Sequence, residues 1–481
     1  MRRKTLPFVS LIVLTALAGL PAAAGTVEGL PLHVKMISPG VVRVWVGDYV
    51  SSTAVCAVAT RKGVVVIDTT NIPKLDQAFR KVIARELGRS DFKYLINTHG
   101  HADHVSGNGV YADCTIIAHE GVKAMMEEDF RDIPRRVQWM DESIQGQKER
   151  LASGEVKEEG KAAALEQLAY SSLVIEYLKS SPKPTFPTKT FRDKMVLDCG
   201  DVTFELYQAG GTHTRNDIFI LVPQKGILFT GDTMADKWLS DTPGCLATFA
   251  LRTGQPEDFP VLMRNWQALL ERKDEIQHYI PGHWNGELSY EGFKARFGYA
   301  QGLLADVGAL AKSNGDFSQF VTGYTLKEKF PHLVNSPGIT LQGHMMSLNH
   351  LYTIFSGKTP VADELRNLFA DPSTFSAGFA KLRDAVLNAR GKYFVSEAEL
   401  NNIGYFLLGE QKEVEASIML FEFNAELHPG SWNASDSLAE GYYAKGDKKK
   451  ALELYRKSLE LNPGNDNARK LIERITKELG I

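Results

Sequence analysis

Beyond its first 24 residues the chain has no run long and apolar enough to cross a membrane, which excludes a stable membrane span. It has no basic excess either. The 55 Lys and Arg stand against 58 Asp and Glu, a formal net charge of −3, so the electrostatic footprint of a nucleic-acid binder is missing. Cysteine is scarce: Cys56, Cys114, Cys199 and Cys245 lie scattered over 481 residues, which is no disulfide framework. Cys114 and Cys199 border apolar runs, where a buried free thiol normally sits. No Gly-x-Ser-x-Gly elbow and no phosphate-cradling P-loop occurs, so neither serine hydrolysis nor nucleotide binding has a motif to rest on.

What is present is the composition of a soluble globular protein, 43% hydrophobic and 23% charged, long enough for two or three domains. The N-terminus stands apart. Arg2, Arg3 and Lys4 precede an apolar run from Leu6 to Leu20, and Pro21-Ala22-Ala23-Ala24 offers small residues for cleavage. Residues 1–24 therefore read as a signal peptide. A membrane anchor would need a longer apolar stretch, about 20 residues. The expected destination is periplasmic or secreted.

The densest chemistry is Asn97-Thr98-His99-Gly100-His101-Ala102-Asp103-His104. Four metal-capable side chains fall within six residues, in a chain with only twelve histidines. On an extended or looped backbone His99 and His101 can point the same way, and a bend can turn Asp103 and His104 to a second point. Imidazole and carboxylate are the ligand types of zinc and similar divalent ions. A short strand, Tyr94 to Asn97, runs into the cluster.

His99 to His104 resembles the His-x-His-x-Asp-His signature of the metallo-β-lactamase superfamily, and Thr98 to Asn108 is similar to the glyoxalase II text. The resemblance implies a four-layer αββα sandwich and two divalent metal ions, zinc first, with manganese or iron as alternatives. It implies His99, His101 and His213 on one ion and Asp103, His104 and His283 on the other. Asp232, in Thr230-Gly231-Asp232, would bridge them, and Asp103 would also serve the chemistry. Asp68 would sit behind the ligands and accept an imidazole N–H, fixing the tautomer. Two ions roughly 3.5–4 Å apart can share a hydroxide and clamp a developing oxyanion.

The rest of the chain supports two halves of strands leading into ligand loops. Val41 to Thr70 reads as strands, with Val42, Val44 and Val46 alternating with Arg43, Trp45 and Gly47. Pro73 to Leu87 reads as a helix with Leu75, Phe79, Val82 and Ile83 on one face. Thr115 to Ala118 is a strand ending at His119, which reads as structural. Residues of about 120–185 are helical and charged, an insertion that could overhang the site, with a turn over Gly154 to Lys161. Strands resume at Met195, Val202, Ile218 and Gly226, followed by a helix near Phe259 to Leu270 and a strand into Pro281-Gly282-His283. Lys237, Trp238, Trp284 and Asn285 follow ligand loops and are candidates to line the substrate mouth. The hydrolase domain is expected over 25–305.

Residues 306–395 read as a helical connector, with turns at Ser336-Pro337-Gly338 and Lys358-Thr359-Pro360. Over 396–481, Pro429 and Pro463 lie 34 residues apart, and Ala439, Tyr442, Gly446, Ala451 and Tyr455 match tetratricopeptide positions. An all-α tail of such repeats is expected, with an ordinary helical hairpin pair as the alternative. The predicted function is an exported binuclear hydrolase acting on a small molecule with an ester, thioester, lactam or related bond. Alternatives are a β-lactamase or lactonase, a mononuclear-iron persulfide dioxygenase, and a scaffold binding a protein partner through the tail.

Overall fold

Gly63-Val64-Val65-Val66-Ile67 is buried at every position, and that fact places it in the middle of the molecule. A strand with apolar side chains on both faces needs cover on both. Val65 and Ile67 enter a core shared with the second sheet, and Val64 and Val66 enter a core shared with helices. The computed structural model describes residues 25–50, 52–234, 250–283, 286–334, 340–368, 375–409 and 413–481. The signal peptide expected over 1–24, Cys245, the loop residues Lys237, Trp238, Trp284 and Asn285, and the turn at Ser336 to Gly338 lie outside the described residues.

The first sheet runs in chain order: β1 (Thr26–Val27), β2 (Leu30–Ser38), β3 (Val41–Val46), β4 (Val55–Thr60), β5 (Gly63–Ile67), β6 (Phe92–Ile96), β7 (Thr115–His119) and β8 (Lys189–Phe191). It is antiparallel from β1 to β5 and parallel from β5 to β8. The second sheet has the order β13 (His278–Pro281), β12 (Ile227–Gly231), β11 (Ile218–Val222), β10 (Thr203–Gln208) and β9 (Lys194–Asp198), with β12 and β13 parallel. Strands β9 and β10 form an antiparallel hairpin, with Asp198 paired to Thr203 at its closed end.

Four layers result. On the outer face of the first sheet lie α1 (Pro73–Leu87), with Leu75, Phe79 and Ile83 buried, and α5 (Glu158–Lys179), which adds Tyr170, Val174 and Leu178. Between the sheets, Ile218, Ile220 and Val222 of β11 face Val58, Ile67 and Ile96. The alternate β11 residue Phe219 stacks edge-on against Trp266 of α6 (Asp258–Glu271) and Phe293 of α7 (Tyr290–Lys312), the fourth layer. The short α2 (Ala102–Val105) starts inside the histidine cluster. The insertion is three helices: α3 (Val122–Arg131), α4 (Ile133–Ala152) and α5. The turn read over Gly154 to Lys161 is shorter than the sequence suggests, because α5 starts at Glu158 with Glu158 and Glu159 in its first turn.

All six residues of Val41–Val46 are buried, Arg43 included, because the loop after β13 covers the second face. Strands β2 and β8 were not expected: the first was passed over although Leu30, Leu32, Val34 and Met36 alternate with Pro31, His33 and Lys35, and the second is only three residues long.

The chain divides into two compact units, one of residues up to Ala305 with Val321–Ser347, the other of Asp306–Phe320 with Leu348–Ile481. The second unit is helical, apart from a parallel pair of two-residue strands, β14 (Thr359–Pro360) and β15 (Tyr393–Phe394), where only a turn was anticipated at the first. Its last part contains five helices, Glu397–Gly409, Val414–Leu427, Trp432–Lys445, Lys448–Leu461 and Asp466–Leu479. Ala439, Ala451 and Tyr455, the small and aromatic repeat positions, pack with Phe421 and Ile475 in one core. Among the described residues no helix is long and apolar enough to cross a membrane.

Candidate metal centre

Each of the seven residues singled out from the sequence lies just beyond a strand end or on a loop between strands. The loop after β6 carries His99, His101, Asp103 and His104; the β10–β11 loop carries His213; Asp232 follows β12, and His283 follows β13. The structure brings them together as two adjacent groups. His99, His101 and His213 form one, and Asp103, His104, Asp232 and His283 the other, with the donor atoms of each group within 4.8 Å of one another. In the first, His101 Nδ1 lies 3.1 Å from His99 Nε2 and 2.7 Å from His213 Nε2. In the second, His283 Nε2 lies 2.9 Å from Asp232 Oδ2 and 3.3 Å from His104 Nε2. Asp103 Oδ2 is 3.5 Å from His283 Nε2 and 3.6 Å from His104 Nε2. Asp232 Oδ2 also comes within 3.7 Å of His213 Nε2, so it stands between the groups. His119 joins neither group; its Nδ1 accepts the Gly121 N–H.

The rings are aimed by a chain of hydrogen bonds that starts at Asp68. Asp68 Oδ1 accepts the Thr98 N–H at 2.7 Å, and Oδ2 accepts the Thr98 hydroxyl at 2.7 Å and His104 Nδ1–H at 2.9 Å. The Thr98 hydroxyl proton is thereby used, and its oxygen receives His99 Nδ1–H at 3.0 Å. One carboxylate thus places the proton on the far nitrogen of two imidazoles and leaves both Nε2 atoms turned to the cluster.

The two groups differ electrically. Burial pushes His99, His101 and His213 below the usual imidazole value, so they are neutral with free lone pairs. Burial acts the same way on His104 and His283, but there the neighbouring carboxylates outweigh it and both are raised. Asp232 goes the opposite way: burial is overcome by His283 and His104, and its carboxyl is held well below the ordinary range. Imidazole nitrogens converging at 2.7–3.3 Å, and a buried Asp232 Oδ1 without a hydrogen-bond partner, are what a cation-binding site looks like. The donor set fits divalent metal ions.

Close backbone approach completes the site. A Cβ on Gly282 would sit 2.2 Å from Asp232 Oδ1, so only glycine lets the β13 loop pass the carboxylate. The loop is held from behind by Arg43, which is fully buried on β3. Its guanidinium donates to the carbonyls of Pro281 and His283 at 2.7 Å and of Gly286 at 2.8 Å. An orphaned buried acceptor costs about 1–3 kcal/mol. Arg43→Met is therefore expected to lower stability by on the order of 3 kcal/mol. It should also release the metal ion nearer His283, read by thermal unfolding and elemental analysis; an unchanged melting temperature would refute this role.

Several further residues act here that the sequence did not flag. Asp217 accepts the N–H groups of His213 and Thr214 and the Thr214 hydroxyl, which shapes the His213 loop. Asn216 Oδ1 accepts the Gly100 N–H at 2.8 Å and ties that loop to the cluster. The run of Thr, Asn and Asp around His213 is the composition of side-chain-stabilised turns, a signal that was available. The insertion flanks the site: Met125 of α3 packs on Gly100, and Glu166 of α5 accepts the N–H groups of Tyr49 and Val50 at 2.6 and 2.9 Å.

Comparison with known proteins adds the following. The family model described as metallo-beta-lactamase superfamily matches residues 45–283, and a tetratricopeptide repeat model matches residues 433–465. Among solved structures, a metallo-beta-lactamase from Pontibacter korlensis is similar, at TM-score 0.36 and 18% identity, over 56% of this chain and 99% of its own. A stereoselective inverting sec-alkylsulfatase from Pseudomonas sp. is similar at TM-score 0.44 and 13% identity, over 86% of this chain and 62% of its own. No curated protein matches.

Proposed function

We propose, from the premise that residues 45–283 belong to the metallo-β-lactamase superfamily and make the chain a metal-dependent hydrolase, that it works with a pair of divalent cations, zinc first, outside the cytoplasm. The observation that carries the paired reading is the convergence of seven donors in two adjacent groups with Asp232 Oδ2 facing both. His99, His101 and His213 would hold one cation, Asp103, His104 and His283 the other, and Asp232 both. Cations there would supply Lewis acidity toward a carbonyl or phosphoryl oxygen and acidify water.

The residues of the chain do the rest. Asp68 and Thr98 fix the tautomers of His104 and His99. Burial of His99 and His104 keeps bulk water from their nitrogens. Asp103 has the most exposed side chain of the second group, 33% accessible, and is placed to take a proton from attacking water and return it to a leaving group. The substrate is a small molecule with an ester, thioester, lactam, lactone or phosphoester bond. Export rests on the charged, apolar and small-residue order of residues 1–24. The C-terminal repeats support a protein partner.

The test is elemental analysis of the purified mature chain together with a hydrolysis screen over those bonds with zinc, manganese and iron. About two ions per chain are expected, as two-metal sites require. Chelation should abolish turnover and zinc should restore it. A chain that holds no metal when supplied with it would overturn the reading.

A further inference from the structure

The helical insertion supplies none of the seven donors, yet one stripe of α5 grips three loops that surround them. Glu166, Tyr170 and Tyr177 fall on one face of a helix with 3.6 residues per turn. Glu166 Oε1 accepts the N–H groups of Tyr49 at 2.6 Å and Val50 at 2.9 Å. Tyr170 donates its hydroxyl to Asn71 Oδ1 at 2.8 Å, and Tyr177 donates to the Ser106 carbonyl at 3.4 Å. The loop is shaped to receive Glu166. Gly47 has φ +86°, and a Cβ there would stand 2.8 Å from Glu166 Oε1 and 2.3 Å from Val50 Cγ2, so only glycine lets the loop fold over the carboxylate.

All three contacts lead to the same half of the metal centre. Beyond Val50 the Ser52 N–H donates to the Val50 carbonyl at 2.9 Å, and the Ser52 hydroxyl donates to the Val46 carbonyl at 2.5 Å. Next comes Thr53. Its hydroxyl donates to the Asp103 carbonyl at 2.6 Å, and its backbone pairs with His283 in an antiparallel bridge. The Ala54 N–H then donates to the Gly282 carbonyl at 2.8 Å. Asn71 follows Thr69, whose N–H and hydroxyl donate to the His104 carbonyl at 3.1 and 3.0 Å, and Ser106 closely follows His104 itself. Among the described residues no polar contact of α5 reaches His99, His101 or the His213 loop; Gly100 is held by Asn216 and the His213 loop by Asp217.

We propose that Glu166 is a positioning residue for one half of the centre only: by capturing the Tyr49 and Val50 N–H groups it sets the loop whose Thr53 holds Asp103 and His283 together, while the His99, His101 and His213 group is independent of it. Asp103 Oδ2 and His283 Nε2 stand 3.5 Å apart, from different sheets, and Thr53 is hydrogen-bonded or paired to both residues. A carboxyl oxygen suits the task because its two lone pairs match two donors. Glu166 touches neither cation nor substrate; it acts through backbone. The inference rests on the paired-cation reading, and it gives the insertion a part in how tightly the cation beside His283 is held.

The test is the zinc affinity of the full chain, measured step by step in competition with a chelator of known affinity. Zinc-edge anomalous scattering from crystals tells which group empties first. Glu166→Leu is expected to weaken the ion beside His283 about tenfold, the lower end of what outer partners of metal ligands carry, and to leave the ion beside His213 unchanged. Glu166→Gln keeps an oxygen with two lone pairs and is expected to restore most of that affinity. If the leucine variant does not fold, Glu166→Ala is read in its place. Unchanged affinity for both ions, an equal loss at both, or a glutamine variant as weak as the leucine one overturns the proposal and leaves the hydrolase reading standing. A wild-type chain that holds fewer than two zinc ions overturns the paired-cation reading and this one with it, and elemental analysis tells that case apart.

Discussion

Asp232→Asn is expected to leave a folded protein that retains fewer than two metal ions and hydrolyses its substrate about 1,000-fold more slowly, on the order of 4 kcal/mol in the barrier. Asp232 Oδ2 is the one oxygen that faces both groups, 2.9 Å from His283, 3.4 Å from His104 and 3.7 Å from His213. Asparagine has the same shape, so Gly282 keeps its clearance and the β12 end need not move. What changes is charge. The carboxylate supplies one of only two negative charges in the donor set, the other being Asp103. Without it, two dications would be held mainly by neutral imidazoles, and their mutual repulsion would go uncompensated. Elemental analysis and turnover, measured side by side, check the result. Two ions per chain with near-normal turnover would show that Asp232 does not bridge.

How far the sequence spoke for this site depends on how local each feature is. His99, His101, Asp103 and His104 are legible because four ligand types crowd six residues, directly after a strand whose apolar run is buried in the structure. The helix Pro73–Leu87 is legible for a similar reason: proline opens it, Gly88 closes it in the left-handed region, and the 3.6-residue stripe lies between. Arg43 was hidden because its acceptors are carbonyls 238 to 243 residues away, and no local pattern records a carbonyl. Arg252 was hidden similarly: it stands 39 residues from His213 in the sequence, yet its Nη2 lies 3.0 Å from His213 Nδ1. The ligands were readable as chemistry; the residues that aim and charge them are set by the packing of one loop on another.

Asp68→Asn is the sharper probe of that aiming, with an expected loss of about 100-fold in zinc affinity and a similar loss in turnover, at the upper end of what outer partners of metal ligands carry. Asp68 adopts φ +61°, in the left-handed region, where a non-glycine residue stores about 1–3 kcal/mol of strain. The strain is offset because its carboxylate accepts the Thr98 N–H, the Thr98 hydroxyl and His104 Nδ1–H. Asparagine tolerates the same backbone, fills the same volume and can still accept the Thr98 N–H, so the fold should survive with a melting temperature within a few degrees. Its amide nitrogen then faces Thr98 Oγ1 and His104 Nδ1 with hydrogens. His104 can meet a donor only by moving its own proton to Nε2, the atom turned toward His283 and Asp232. A cation at that group must then displace a proton from its ligand, while His99 loses the hydroxyl relay that fixed its ring. Competition against a chelator of known affinity measures the change. If Asp68→Asn binds two zinc ions as tightly as the wild type, Asp68 is only a strained loop acid, and the tautomers of His99 and His104 are set by something else.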